Sequence, residues 1–240
     1  MSQISRKWNQ INRSPYFTYL FLGIQVIVFV MMELSGRKFG LLNGSQNSSV
    51  LFYFGAMSPE AIIMNHEYWR FVTPIFIHIG LTHLAINSFS LYFAGRLLEP
   101  IIGHFRFFVL YMVSGIMGNV LSFAFGSPYG LSAGASTSLF GLFAAFIILG
   151  KMFPYQPMIR QMSQNMTLLI ILNLVMNLFD SGVDILGHLG GAIGGILLMI
   201  VLGVPNKNLN VKFNPHQRIA MGIFTVFLLG FCVVYGLSRF

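Results

Sequence analysis

Gly187-His188-Leu189-Gly190-Gly191-Ala192-Ile193-Gly194-Gly195 packs five glycines and one histidine into nine residues, and an apolar run, Ile196 to Leu202, follows it directly. At helical spacing Gly187, Gly191 and Gly195 share one face, while Gly190 and Gly194 share a neighbouring one. Glycine disfavours a helix in water, but rows of small residues let membrane helices bring their backbones into contact. The stretch therefore reads as a membrane helix, about Leu186–Val204, pressed closely against its neighbours. His188 stands at its start, and a polar group so placed is expensive unless it faces the bundle interior or a wet cavity.

Composition extends this reading to the whole chain. Of 240 residues, 55% are hydrophobic, 15% aromatic and only 8% charged, with a mean hydropathy of +0.74. A soluble domain carries roughly a quarter charged residues, so an ordinary soluble fold is excluded. The fold class expected is an all-α polytopic membrane protein. Apolar runs give seven spans: about Tyr16–Leu34, His83–Ile102, Phe105–Phe125, Ser136–Phe153, Met166–Phe179, Leu186–Val204 and Ile219–Leu237. Residues 1–15 form a short tail and 16–204 a six-span core. A large outer loop occupies about 35–82, a linker 205–218, and a seventh span with a short tail 219–240. The first span is longer than a signal-peptide core and no small-residue cleavage pattern follows it, so it is read as retained.

The net charge of +8 comes from basic residues scattered among apolar segments, which argues for charged membrane loops and against nucleic acid. Arg6, Lys7, Arg13, Arg96, Arg106, Lys151, Arg160, Lys207, Lys212 and Arg218 fall on one side of the seven spans. Only Arg37, Lys38, Arg70 and Arg239 fall on the other. The positive-inside rule then places the N-terminus in the cytoplasm and the C-terminus outside. Cys232 is the single cysteine, which excludes an intramolecular disulfide and a cysteine-based metal site.

With this topology spans two, four and six all run inward from the outer face, so their first turns lie at one level. Those turns hold His83 and Asn87, Gly134-Ala135-Ser136, and Gly187-His188. Ser136 taken alone reads as a helix cap, and His188 alone as an interhelical hydrogen-bond partner. A close approach of the two helices would let the imidazole reach the hydroxyl, the arrangement that activates a serine nucleophile. His83 and Asn87, four residues apart, share a helix face. They are either a polar packing seam or donors for a developing oxyanion, alongside the Ser136 N–H at a positive helix end. A metal held by His78, His83 and His188 is the weaker alternative, because no HExxH pattern or carboxylate partner accompanies them.

From Trp69 to Gly195 the sequence resembles the rhomboid family of intramembrane serine proteases. The resemblance rests on Trp69-Arg70, His78-Ile-Gly-Leu-Thr-His83-Leu-Ala-Ile-Asn87, Glu99-Pro-Ile-Ile-Gly103 with Arg106, Gly134-Ala-Ser136, and Gly187-His188 with Gly191 and Gly195. It implies a six-helix core with one extra C-terminal helix, and a Ser-His dyad without a third acidic member. Ser136 is then the nucleophile and His188 the base, with His83 and Asn87 stabilising the oxyanion. Gly134 supports the site, and Phe140 matches an aromatic ring that packs on the catalytic imidazole. Trp69, Arg70 and Glu99 match structural positions.

The implied activity is peptide-bond hydrolysis in or near transmembrane segments of protein substrates, without cofactor or metal, in a cell membrane, most simply a bacterial plasma membrane. Two departures stand out: Thr137 follows the serine where the family usually has glycine, and Gly187 precedes the histidine where alanine is common. By the same resemblance the fifth span and the Asp180–Asp184 loop gate access. Asn173 and Asn177 on that span fit helix packing and substrate contact equally. The seventh span is expected at the periphery.

The alternatives are a non-proteolytic relative that binds transmembrane helices, which typically lacks a dyad residue, and a transporter. The latter calls for charged span interiors or an inverted repeat, and the sequence has neither. Asn43 and Asn47 stand in Asn-x-Ser patterns that matter only in a secretory pathway.

Overall fold

The computed structural model describes residues 14–38, 40, 43–179, 182–205 and 213–239. The tail bearing Arg6, Lys7 and Arg13, Asp180, and the part of the linker with Lys207 and Lys212 lie outside the described residues. Nine α-helices run through the described residues. They are α1 (Tyr16–Lys38), α2 (Ser48–Phe54), α3 (Pro59–Asn65), α4 (Gly80–Ile102), α5 (His104–Phe125), α6 (Ser136–Met152), α7 (Pro157–Asn177), α8 (Ile185–Leu202) and α9 (Pro215–Ser238).

Each of the seven expected spans coincides with one long helix, but several ends differ. The fifth begins at Pro157, nine residues before Met166. Proline at a first helical position lacks only an N–H that would have no intrahelical partner there, and the polar Arg160–Asn165 stretch it adds carries no apolar signal to reveal it. The second begins at Gly80, so His83 lies inside its first turn and not at its end. By length and composition α1, α5, α8 and α9 are each able to cross a membrane, and α6 is a shorter apolar helix.

Burial ranks the helices. In α6, 13 of 17 residues are buried, whereas α9 buries only Thr225, Cys232 and Gly236. The centre of the bundle is therefore α6, and α9 sits at the edge, against α5 and α8. The two glycine rows of α8 meet different partners. A methyl group on Gly190 or Gly194 would strike the α5 backbone at Gly118 or Ser114, and one on Gly191 or Gly195 the α6 backbone at Thr137 or Gly141. Backbone-to-backbone packing on two sides wedges α8 between α5 and α6.

The outer loop is folded, not irregular. Helix α3 is capped by Ser58 and opened by Pro59. Asn47 uses its side chain to cap α2 through the N–H groups of Ser49 and Val50. Arg70 is only 2% exposed. It donates to the carbonyls of Phe52 (2.9 Å) and Ala56 (2.8 Å) and pairs with Glu67 at 2.5 Å. Its guanidinium lies over the rings of Phe52 and Trp69. A buried charge bonded through Nε and Nη1 to a carboxylate and two carbonyls, with aromatic rings against its guanidinium, fixes the loop around itself.

At the opposite end Glu99 is fully buried and accepts from Phe17 N–H and Thr18 N–H, each at 2.9 Å, and from the Thr18 hydroxyl at 2.7 Å. His104 Nδ1 is 2.6 Å away. The carboxylate thereby holds the start of α1 against the end of α4.

Candidate active site

The loop preceding α6 is tied to the outer loop at several points. Met57 and Ser132 exchange two backbone hydrogen bonds, Gly134 N–H donates to the Pro74 carbonyl at 2.9 Å, and Ala135 N–H donates to His78 Nε2 at 3.4 Å. His78 accepts that bond only while neutral, and burial, followed by the neighbouring His83, holds its pKa down to about 3. Gly134 has φ +143°, and a methyl group there would lie 2.7 Å from the His83 ring. Only glycine lets the chain pass this close to the imidazole.

The loop delivers Ser136 to the first position of α6. The residue before it, Ala135, supplies no capping side chain, so the first-turn N–H groups receive no side-chain acceptor from the cap position. Ser136 keeps partial exposure while Ala135, Thr137 and Ser138 around it are buried.

His188 arrives from the other side. Asp184 caps α8 by accepting the Gly187 N–H at 2.8 Å, and its second oxygen accepts the Ser132 hydroxyl at 2.8 Å. One carboxylate thus joins the start of α8 to the loop that carries Ser136. With α8 also pressed onto α6, His188 Nε2 lies 2.8 Å from Ser136 Oγ. The Phe140 ring, one turn below Ser136, stacks on the imidazole with centroids 4.3 Å apart and planes within 8°. On the far edge of the ring, Asn177 Nδ2 is 2.8 Å from His188 Nδ1.

His83 flanks Gly134 opposite Ser136. Its Nδ1 accepts the Ile79 N–H at 3.3 Å, which places the proton of a neutral ring on Nε2, the nitrogen turned toward Gly134. Asn87 is buried on the same face one turn on, but its Nδ2 donates to the His83 carbonyl of its own helix at 3.0 Å. The structure therefore brings together Ser136, His188, Phe140, Gly134 and His83, and leaves Asn87 with at most its second amide hydrogen for another acceptor. Among the described residues no group of three His, Cys, Asp or Glu side chains is placed to hold a metal ion. His78, His83 and His188 each commit a nitrogen to a separate partner.

Three contributors escaped the sequence reading or were left open there. Asn177 had two equal readings. Asp184 counted only as an outer acid and a loop residue, although its place just before the helix and four residues ahead of His188 is an N-cap signal. Ser132 carried no local signal.

Comparison with known proteins follows the same line. Residues 65–205 match the model of the Rhomboid domain, an interval that contains His78, His83, Asn87, Ser136, Phe140, Asn177, Asp184 and His188. The chain belongs to the rhomboid family. It is a multi-pass, all-helical membrane protein of that family. It is 39% identical over 198 residues to Rhomboid protease GluP of Bacillus subtilis, covering 81% of this chain and 36% of that protein. Against the putative rhomboid protease YdcA of the same organism it is 33% identical over 136 residues, covering 57% of this chain and 68% of the relative. It is also 32% identical over 160 residues to inactive RHOMBOID-like protein 8 of Arabidopsis thaliana, covering 58% of this chain and 45% of the relative. The chain thus spans about a third of the length of GluP. Because rhomboid relatives include an inactive protein, family membership supports proteolysis without deciding it.

Proposed function

We propose that this chain is an intramembrane serine endopeptidase in which Ser136 and His188 form the catalytic dyad. The observation that carries the reading is the 2.8 Å approach of His188 Nε2 to a partly exposed Ser136 Oγ, supported by the stacked Phe140 ring that fixes the imidazole plane.

Chemically, His188 takes the Ser136 proton as Oγ attacks the scissile carbonyl, and returns it to the leaving amine. Water activated by the same imidazole then hydrolyses the acyl-enzyme and regenerates both side chains. The developing oxyanion meets the Ser136 N–H at the positive end of α6, the Nε2–H of His83, and the remaining amide hydrogen of Asn87. The Thr137 side chain fills space beside Gly118 and Gly187, and the Ser136–His188 contact of 2.8 Å forms with it in place.

The substrate is a transmembrane protein whose helix unwinds locally before cleavage, because helical carbonyls are already hydrogen-bonded and shielded. The charge distribution puts the N-terminus in the cytoplasm and the site toward the outer face of the membrane. A bacterial plasma membrane is the setting suggested by the GluP likeness.

Cleavage of a single-span model substrate in proteoliposomes tests the proposal. Intact protein cleaves; Ser136→Ala and His188→Ala, shown folded by circular dichroism, lose nearly all activity, because dyad members act as a unit. His83→Ala loses less, about 10²–10³-fold. Unchanged cleavage by either dyad variant overturns the assignment. No cleavage by intact protein across several substrates favours a helix-binding role instead.

A further inference from the structure

For His188 to accept the Ser136 proton at Nε2, the hydrogen of its neutral ring has to sit on Nδ1, and a buried N–H requires an acceptor. His188 is only 7% exposed, so water is a poor candidate. The group at Nδ1 is the carboxamide of Asn177, at 2.8 Å, reaching in from the last turn of α7. In the orientation described, Nδ2 faces Nδ1, which suits the opposite tautomer, with Nε2–H pointing at the serine. The two ends of a carboxamide are nearly the same size, so a half-turn of the side chain presents Oδ1 and accepts Nδ1–H.

We propose that Asn177 is a positioning residue for His188, whose carboxamide oxygen holds the imidazole in the tautomer that leaves Nε2 free to take the Ser136 proton. The proposal rests on the protease reading above and adds a third side chain to its dyad. Physically it is the role that an asparagine or aspartate plays beside a catalytic histidine in other hydrolases.

The geometry around it is specific. Asn173, one turn earlier on the same helix, spends its amide on the Leu169 carbonyl and is exposed, so the two asparagines do different things. The buried residues of α7 are Ile159, Met162 and Ile170, all before its last two turns. The bond to His188 is thus a polar attachment of an otherwise outlying helix end. Other groups acting on the imidazole are Asp184 at the head of α8 and His83 from α4, with the Ser136 hydroxyl from α6 and the Phe140 face below. Neither Asp184, committed to Gly187 and Ser132, nor His83, committed to Ile79, makes a hydrogen bond to Nδ1.

The experiment compares intact protein, Asn177→Ala, Asn177→Asp and Asn173→Ala in proteoliposomes, measuring kcat, KM and the pH dependence of kcat/KM, with Ser136→Ala as the blank. Asn177→Ala lowers kcat about 10-fold, the effect of one positioned hydrogen bond on a barrier, with little change in KM. Asn177→Asp retains acceptor function and recovers rate at high pH. Its anion favours the protonated imidazole, so the acid limb of its profile moves to higher pH by about one unit or more. Asn173→Ala matches intact protein. Unaltered kcat and an unshifted acid limb in both Asn177 variants overturn the proposal while leaving the dyad standing.

Imidazole 15N shifts of His188 in intact protein give a measurement independent of whether any variant folds. A neutral ring with its hydrogen on Nδ1 supports the proposal, and one with its hydrogen on Nε2 overturns it. If intact protein cleaves nothing, the protease reading fails and the 15N result still decides the tautomer.

Discussion

Gly191→Ala tests whether the spacing of α6 and α8 sets the distance between Ser136 and His188. The added methyl carbon would lie 2.8 Å from the Thr137 carbonyl carbon and 3.2 Å from its Cα, and nearer still to the carbonyl oxygen, where ordinary contact begins at 3.4 Å. Helix backbone cannot rotate aside as a side chain can, so α8 has to move off α6 by about 1 Å. Thr137 directly follows Ser136, and Gly191 lies one turn from His188. The opening therefore falls on the 2.8 Å contact and stretches it beyond hydrogen-bonding range.

Overpacking of this kind costs about 1–3 kcal/mol, and alanine's better helix propensity offsets about 1 kcal/mol of it. The variant accordingly folds, while a displacement near 1 Å lowers kcat about 10²-fold. Initial cleavage rates in proteoliposomes, with thermal unfolding measured on the same preparations, give the answer. Gly230→Ala is the control, because a methyl group there meets nothing within 4 Å; it leaves the rate unchanged and, free of any clash, raises the unfolding midpoint slightly through helix propensity alone. Full activity in Gly191→Ala with an unaltered midpoint would refute the claim that backbone contact at this glycine positions the two side chains.

Other substitutions probe the supports of the site. Gly187→Ala places a methyl 2.8 Å from Asp184 Oδ2 and 3.1 Å from Thr137 Cγ2; it destabilises the protein, and less so when combined with Thr137→Ser, with a coupling of about 0.5–1 kcal/mol in a double-mutant unfolding cycle. Additive effects would show that the two departures from the family pattern are unrelated. Glu99→Gln turns an amide donor toward N–H groups now bonded to a carboxylate; unfolding in detergent becomes easier by about 1–3 kcal/mol, and an unchanged midpoint would contradict the anchoring role given to Glu99.

His78 supplies the pH test. Its folded pKa of about 3 lies below the ordinary 6.5, so the unfolded chain takes up the proton first, and stability present above pH 6.5 is lost as pH falls toward 3. The thermal midpoint of intact protein falls across that window by more than that of His78→Gln, whose side chain does not titrate; parallel curves would remove His78 as the cause.

Much of the site was legible in the chain because its signals are local. The glycine spacing after His188 showed two close-packing faces, since helical periodicity alone assigns residues to faces. Alternation of spans put His83, Ser136 and His188 at one level without any coordinates. Phe140 was legible only through the family resemblance, which set its ring against the catalytic imidazole, where it stacks on His188; spacing from Ser136 alone left it an ordinary core residue. Helix ends were less legible: the polar first half of α7 has no apolar pattern, and its start depends on Pro157 and on packing against α6.

By itself the sequence determined a polytopic helical bundle, the order of its spans, and which polar side chains the membrane would force inward, because burial of apolar surface and the cost of lone polar groups act residue by residue. Tertiary structure alone decided which partners those side chains take. Asn177 reaching His188, Asp184 joining Ser132 to Gly187, and Asn87 turning its amide to the His83 carbonyl each depend on the distance and rotation between separate elements. Those quantities follow from how α5, α6 and α8 interlock through their glycines, a property of the packed bundle that no single segment encodes.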